Sequence, residues 1–364
     1  MFDTLKPNWG EAVRAVISYS TDVFESRDGT EQRRSTRSVP REELSFKAML
    51  CGDEYRDLIA ALTQIGSGEI AITDFRDGSE VSGYLDASTE GEALTGTVAT
   101  VDVRFMFGSG QSSDFVSSPA PFVLDGREVM RLEPNFVRAP NLAFLQLTQM
   151  VDHGSNRFAR RLRSTGVHRT FSARWLLASE DEIAEQVSFF RRMAGRRGEF
   201  FYPIPDQLLE PKSGIGQGET TIDVASGNEA FNGAAEYPAI VLRLIDGRLI
   251  MRKIASIVLV GEVARITVEN EWITTEPLSA IRSAQWLMLA RFGDDDMTLE
   301  YATDTVAQVD HSVKGLTYAE AESPITLGEY GAAFMETPES ASLWPSFDLF
   351  DQTLNGPFRD SLLS

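Results

Sequence analysis

"RSVPREELSFKAMLCGDEYRDLIAALTQIGSGEIAITDF", residues 37–75, reads as strand, helix and strand in immediate succession. Leu44, Phe46, Ala48 and Leu50 alternate along the chain, as on a strand with one buried side. Asp53 is placed to cap a helix. Tyr55, Leu58, Ile59, Leu62 and Ile65 then fall on one helical face. Gly66 supplies a C-terminal stop, and Ile70 and Ile72 begin the next strand.

The same order returns in "RSTGVHRTFSARWLLASEDEIAEQVSFFRRMAGRRGEFFYPI", residues 163–204. Phe171, Ala173 and Trp175 alternate. Ser179 and Glu182 form a capping box. Ile183, Val187, Phe190 and Ala194 make the apolar stripe, Gly195 ends it, and Phe200 and Tyr202 lie on the following strand. A basic cluster precedes each strand: Arg33, Arg34, Arg37 and Ser38, then Arg160, Arg161, Arg163 and Ser164.

Each stretch leads through a Gly-, Ser- and Thr-rich segment to Pro-Ala (Pro119, Pro238), an apolar strand and a hairpin. The hairpins, "VLDGREVMRL" (123–132) and "LIDGRLIMRK" (244–253), share Asp-Gly-Arg-x-x-Met-Arg. Asp-Gly at each tip suits the positive φ angles of a type I′ turn. Order and spacing together predict a tandem duplication, with superposable units over about 37–135 and 163–256. Arg127 and Arg131 would share a sheet face with Val129, and Arg248 and Arg252 with Ile250. They are candidate subunit contacts, or simply exposed strand residues.

Further hairpins are predicted in "IVLVGEVARITVENEW" (257–272), turning near Gly261, and in "MTLEYATDTVAQVDHSVKGL" (297–316), turning near Thr303-Asp304. The final residues have several aromatics but no clear period, and they are too apolar for an ordinary disordered tail. They suggest an extended arm that packs on a neighbour. The fold expectation is therefore mainly β with flanking helices. Residues 1–140 and 141–322 form the two repeated domains, and 323–364 the C-terminal arm.

The 364 residues, 42% hydrophobic, suffice for more than one core. No run is long and apolar enough for a membrane span, and no signal peptide is evident. Synthesis in a reducing bacterial cytoplasm is expected. One cysteine, Cys51, excludes an internal disulfide, and its place after an apolar strand suggests a buried, inert thiol. The net charge of −20 argues against a protein that coats DNA. Residues 157–197 depart from that balance, with ten arginines and four acidic residues. Within this band Arg191, Arg192, Arg196 and Arg197 are candidate subunit contacts by charge matching; the plain reading is a solvated helix face.

Motifs for chemistry are weak. "SGIGQGETT" (213–221) has neither Walker nor Rossmann spacing and reads as a flexible hairpin. Asp294-Asp295-Asp296 lacks an EF-hand pattern and reads as a charged turn. His153, His168 and His311 fit no metal motif and are expected at the surface or hydrogen-bonded. No nucleophile elbow or cysteine-protease signature occurs. The expectation is a protein without enzymatic activity, with no catalytic, cofactor-binding or metal-binding residues.

Three stretches, "STDVFESRDGTEQRRSTRSVPREELSFKAML" (20–50), "FSARWLLASEDEIAEQVSFFRRMAGRRGEFFYP" (171–203) and "ARFGDDDMTLEYATDTVAQVDHSV" (290–313), carry a resemblance. They look like the distal tail and baseplate-hub minor proteins of long-tailed bacteriophages and gene transfer agents. The similarity is diffuse and spans about 300 residues. It implies tail-tube-like β-sandwich or barrel domains with a flanking helix, assembled into a ring at the virion tail tip. The implied partners are further copies of the chain (a trimer by preference, otherwise a hexamer), the tail tube, and receptor-binding or fibre proteins. DNA would pass through the lumen without specific binding. It implies no catalytic residues. The duplication departs from the simple distal tail protein, which commonly has one such domain. A carbohydrate-binding or polysaccharide-degrading β-rich protein is the alternative; Trp175 and Trp272, its obvious aromatic platforms, are better explained as core.

Overall fold

A computed structural model describes residues 5–25, 31–37, 39–65, 69–76, 78–85, 91–95, 98–108, 121–135, 140–145, 148–152, 158–162, 168–225 and 237–316. The inferred arm lies outside these residues, as does His153. Over the described residues the structure is mainly β, with two α-helices and a large antiparallel sheet.

The first run comprises β1 (Val13–Ser18), the hairpin β2 (Thr21–Glu25) and β3 (Glu31–Ser35), then β4 (Arg41–Cys51) and helix α1 (Gly52–Ile65). It continues through β5 (Ile70–Thr73), β6 (Glu80–Leu85), β7 (Gly91–Thr95) and β8 (Val98–Phe107). A short hairpin, β9 (Val123–Leu124) and β10 (Arg127–Glu128), follows. The second run comprises β11 (Asn141–Leu145), the hairpin β12 (Thr148–Asp152) and β13 (Phe158–Leu162), β14 (His168–Leu177) and helix α2 (Glu180–Met193). After it come β15 (Phe200–Leu209), β16 (Thr221–Ala225), β17 (Ala239–Leu244), β18 (Leu249–Val260) and β19 (Val263–Val268). The described chain ends with β20 (Ile281–Phe292), β21 (Asp296–Tyr301) and β22 (Ala307–Gly315).

Strand neighbours follow one rule in both runs. In the first, the hydrogen-bonded order is β1-β4-β8-β6-β5. In the second, β11 pairs β14, β14 pairs β22, β22 pairs β20 and β20 pairs β15, all antiparallel. The agreement extends along individual strands. β8 pairs β7 through its N-terminal half and β6 through Phe105–Phe107. β22 likewise pairs β21 through Ala307–Val309 and β20 through Val313–Gly315. The second run differs by inserting β16–β19 before β20, and this insertion extends the sheet through β17. The two runs join where β1 pairs β21, with Val13 opposite Tyr301 and Ser18 opposite Asp296.

Alternation explains β4, where Leu44, Phe46, Ala48 and Leu50 face one contiguous core. The next residue must face outward, so Cys51 is exposed rather than buried, correcting the sequence reading. Asp53 lies inside the first turn of α1; Glu54 Oε2 instead accepts from the Cys51 amide at 2.7 Å. The side chains of Ile59, Leu62 and Ile65 lie outside the described residues, whereas Leu58 is buried. In α2 the Ser179 hydroxyl accepts from the Glu182 amide at 3.3 Å, as expected. Ile183, Val187 and Phe190 are buried, and the helix ends at left-handed Ala194 and Gly195.

β20 is apolar almost continuously because both its faces are covered. Trp286, Met288, Ala290 and Phe292 face the main core. Leu287 and Leu289 join Val129, Phe201, Ala239 and Val241 in a smaller cluster on the other side. That cluster brings the first Asp-Gly-Arg hairpin onto the sheet of the second run: Met130 N–H donates to the Phe201 carbonyl at 2.9 Å. The two hairpins are therefore not counterparts. β9–β10 is a separate two-stranded sheet, while β17–β18 belongs to the large one. Their turns differ as well. Asp125 and Gly126 both have positive φ, as a type I′ turn requires. In the second hairpin only Gly247 does, and its N–H bonds to the Leu244 carbonyl, as in a three-residue loop closed by a bulge. The hairpins predicted near Gly261 and Thr303-Asp304 are present as β18–β19 and β21–β22.

Candidate functional site

The arginines singled out in the sequence converge on the junction between the two runs. Arg191, in the last turn of α2, forms an ion pair with Glu42 of β4. Arg192 pairs with Glu128 of β10 at 2.8 Å. Arg196 donates to the Thr21 carbonyl at 2.7 Å, and its amide donates to Asp295 Oδ1 at 2.9 Å. The Arg197 carbonyl accepts from Arg33 of β3 at 3.0 Å, while Arg33 also pairs with Glu199. These contacts tie the end of α2 to β2, β3 and β4, so much of the basic band is engaged within one chain.

The hairpin arginines are also engaged. Arg127 lies 3.5 Å from Glu199, and Arg131 pairs with Glu185 at 2.7 Å. Arg248 pairs with Asp246 and Glu276 at 2.6 and 2.9 Å. Arg252 donates to the Glu271 carbonyl and lies over the Trp272 ring. Lys253 reaches Asp125 of the first hairpin at 3.0 Å, so the two Asp-Gly-Arg hairpins meet.

Asp295 is a structural hub of this junction. It accepts from the amides of Thr21 (2.7 Å) and Arg196, which fixes the turn before β21. Gly195 is required beside it: a Cβ there would lie 2.6 Å from Asp295 Oδ1, and its φ is +64. The charged-turn reading of 294–296 thus acquires a specific role.

Several buried polar residues were not singled out from sequence. Asp74 receives Nε and Nη2 of Arg76, the latter at 2.6 Å, and both side chains are almost wholly buried. Burial opposes the Arg76 charge, but Asp74 outweighs it and raises the guanidinium pKa. Glu42 lies 3.8 Å from Arg76 as well as pairing with Arg191. Burial pushes the neighbouring Tyr301 hydroxyl up to about 12. Asp-x-Arg in a tight turn was the available sequence signal, but spacing alone does not distinguish an exposed turn from this one.

His311 is buried, and its Nε2 has no hydrogen-bond partner among the described residues. It sits among Trp175, Phe190 and Phe292, and burial lowers its pKa to about 3. Trp175 and Trp272 are core residues, as expected. "SGIGQGETT" forms an ordered turn: Gly218 N–H donates to the Trp272 carbonyl at 3.0 Å, and Ile215 is buried. Among the described residues, no group of three or more His, Cys, Asp or Glu is arranged to hold a metal, and no helix is long and apolar enough to cross a membrane.

The remaining feature with functional potential is the sheet margin. Among the described residues β7 pairs only with β8, and β11 only with β14. β11 also carries Phe144, which is 59% exposed. Open strand edges recruit further strands. No protein-family model and no curated protein matches this chain.

Proposed function

We propose that the chain is a structural component of a phage-type tail tip, a distal-tail or hub protein whose copies form a ring continuing the tail tube. One observation carries this reading: two strand series with the same order of neighbours, β1-β4-β8-β6-β5 and β11-β14-β22-β20-β15, lie in one sheet and each place a helix after the second strand. Such a chain arises naturally by tandem duplication of a tube-like domain, the duplication running through β8 and β22 rather than ending at the Asp-Gly-Arg hairpins. Each copy then supplies two similar wall segments. Three copies make a pseudo-six-fold ring able to face a hexamer on one side and a trimer on the other. An acidic chain suits a lumen through which DNA slides without adhering. Receptor-binding or fibre proteins would attach at the distal side, and the role is non-enzymatic.

The test is localisation. Gold-labelled antibody against the chain should mark the distal tip of tail particles in electron micrographs. Labelling along the tail shaft, on heads or on no tail-like particle would overturn the reading.

A further inference from the structure

The open strands β7 and β11 are the counterparts of the two strands already joined inside the chain. β11 begins the second run and pairs β14, as β1 begins the first and pairs β4. β7 pairs the N-terminal half of β8, as β21 pairs that of β22. Within the chain, β1 and β21 pair with each other along six residues. Their counterparts have no such partner among the described residues.

We propose that β7 of one copy pairs antiparallel with β11 of the next, repeating the β1–β21 seam between molecules. This rests on the duplication in the reading above and names the surface by which copies would associate. The contact is heterologous, since one edge meets a different edge, so repetition generates a closed ring if the rotation closes. A second copy is the occupant because the chain already contains the pairing in question. Backbone bonds along matched strands supply the recognition. Phe144 supports this choice: a large apolar side chain exposed on an open edge favours association.

The seam also gives the register. Arg14 faces Glu300 across it, and their side chains form an ion pair at 3.0 Å. Matching Leu50 of β4 with Leu177 of β14 also matches Phe107 of β8 with Gly315 of β22 through their registers, and it carries Arg14 to position 141 and Glu300 to position 92, so 141 lies opposite 92.

Disulfide trapping tests this in the full-length chain with Cys51→Ser. Arg14→Cys with Glu300→Cys should close within one molecule. Glu92→Cys with Asn141→Cys should give a ladder of covalent oligomers on mild oxidation, whereas either substitution alone should give none. As a second measurement, amide exchange in β7 and β11 should slow by about tenfold or more on going from dilute to concentrated protein. Monomer bands only, in a chain whose seam disulfide forms, overturn the proposal. So does association that leaves exchange in β7 and β11 unchanged. Tip labelling without this cross-link would leave the tail-tip reading standing and this edge pairing refuted; the cross-link without tip labelling would do the reverse.

Discussion

Arg291 of β20 and Glu31 of β3, 260 positions apart, form a two-pronged ion pair, with Nε to Oε2 at 2.8 Å and Nη2 to Oε1 at 3.0 Å. Both side chains are about 95% buried, and Lys314 joins the same carboxylate. Burial alone would raise the Glu31 pKa, but the bonds from Arg291 and Lys314 outweigh it and hold it at about 2. The group therefore adds stability that is complete above its ordinary value of 4.5 and lost as pH falls toward 2. Glu31→Gln should flatten the pH dependence of urea unfolding in that window. An unchanged slope there would contradict the assignment.

His311 acts in a higher window. Its folded value near 3 lies below the ordinary 6.5, so the unfolded chain takes up the proton first. Stability is complete above pH 6.5 and declines as pH falls from there toward 3. His311→Phe, in a site already lined by Trp175, Phe190 and Phe292, should remove this decline between pH 6.5 and 4.5, where the Glu31 contribution is complete and varies little with pH. Equal slopes for the two proteins in that interval would refute it.

Asp74→Ala should destabilise by about 3–5 kcal/mol, because it leaves the buried Arg76 guanidinium without its bidentate partner. Glu42 Oε2 lies 3.8 Å from the Arg76 guanidinium. Replacing both residues, Asp74→Asn with Arg76→Met, should cost less than the single change. Denaturant titration of the three proteins decides this.

Gly195 and Gly261 have nearly the same positive φ, +64 and +65, but different surroundings. At Gly261 an added Cβ meets open space, so Gly261→Ala should cost only the backbone penalty of about 1–2 kcal/mol. At Gly195 it would strike Asp295, so Gly195→Ala should cost more and loosen the junction around Thr21. Thermal melts showing equal losses would contradict this difference.

Phe190→Ala should cost about 3–5 kcal/mol, since the ring is wholly buried against Tyr19, Phe292 and His311. A loss below about half a kcal/mol in chemical denaturation would mean that α2 is not anchored by this face.

Local periodicity determined much of this architecture. The alternation in β4 and β14, the Ser179 cap, the stripe of α2 and the turns at Gly261 and Thr303-Asp304 are written in neighbouring residues, because backbone geometry fixes periods of 2 and 3.6. Recurrence of strand, helix and strand was visible for the same reason. Its extent was not. Two Asp-Gly-Arg hairpins of similar sequence occupy different sheets, since a turn motif specifies a bend and leaves the strand's neighbour open. That β8 and β22 have like neighbours emerges only from hydrogen bonds between distant segments. Tertiary structure likewise decided the fate of the charges. Arg191, Arg192 and Arg196 read as a surface band, but their acids come from β4, β10 and the turn before β21, which folding brings to the end of α2. Burial separated His311 and Asp74 from the many polar residues like them in composition, because desolvation depends on what packs around a group and not on its place in the chain.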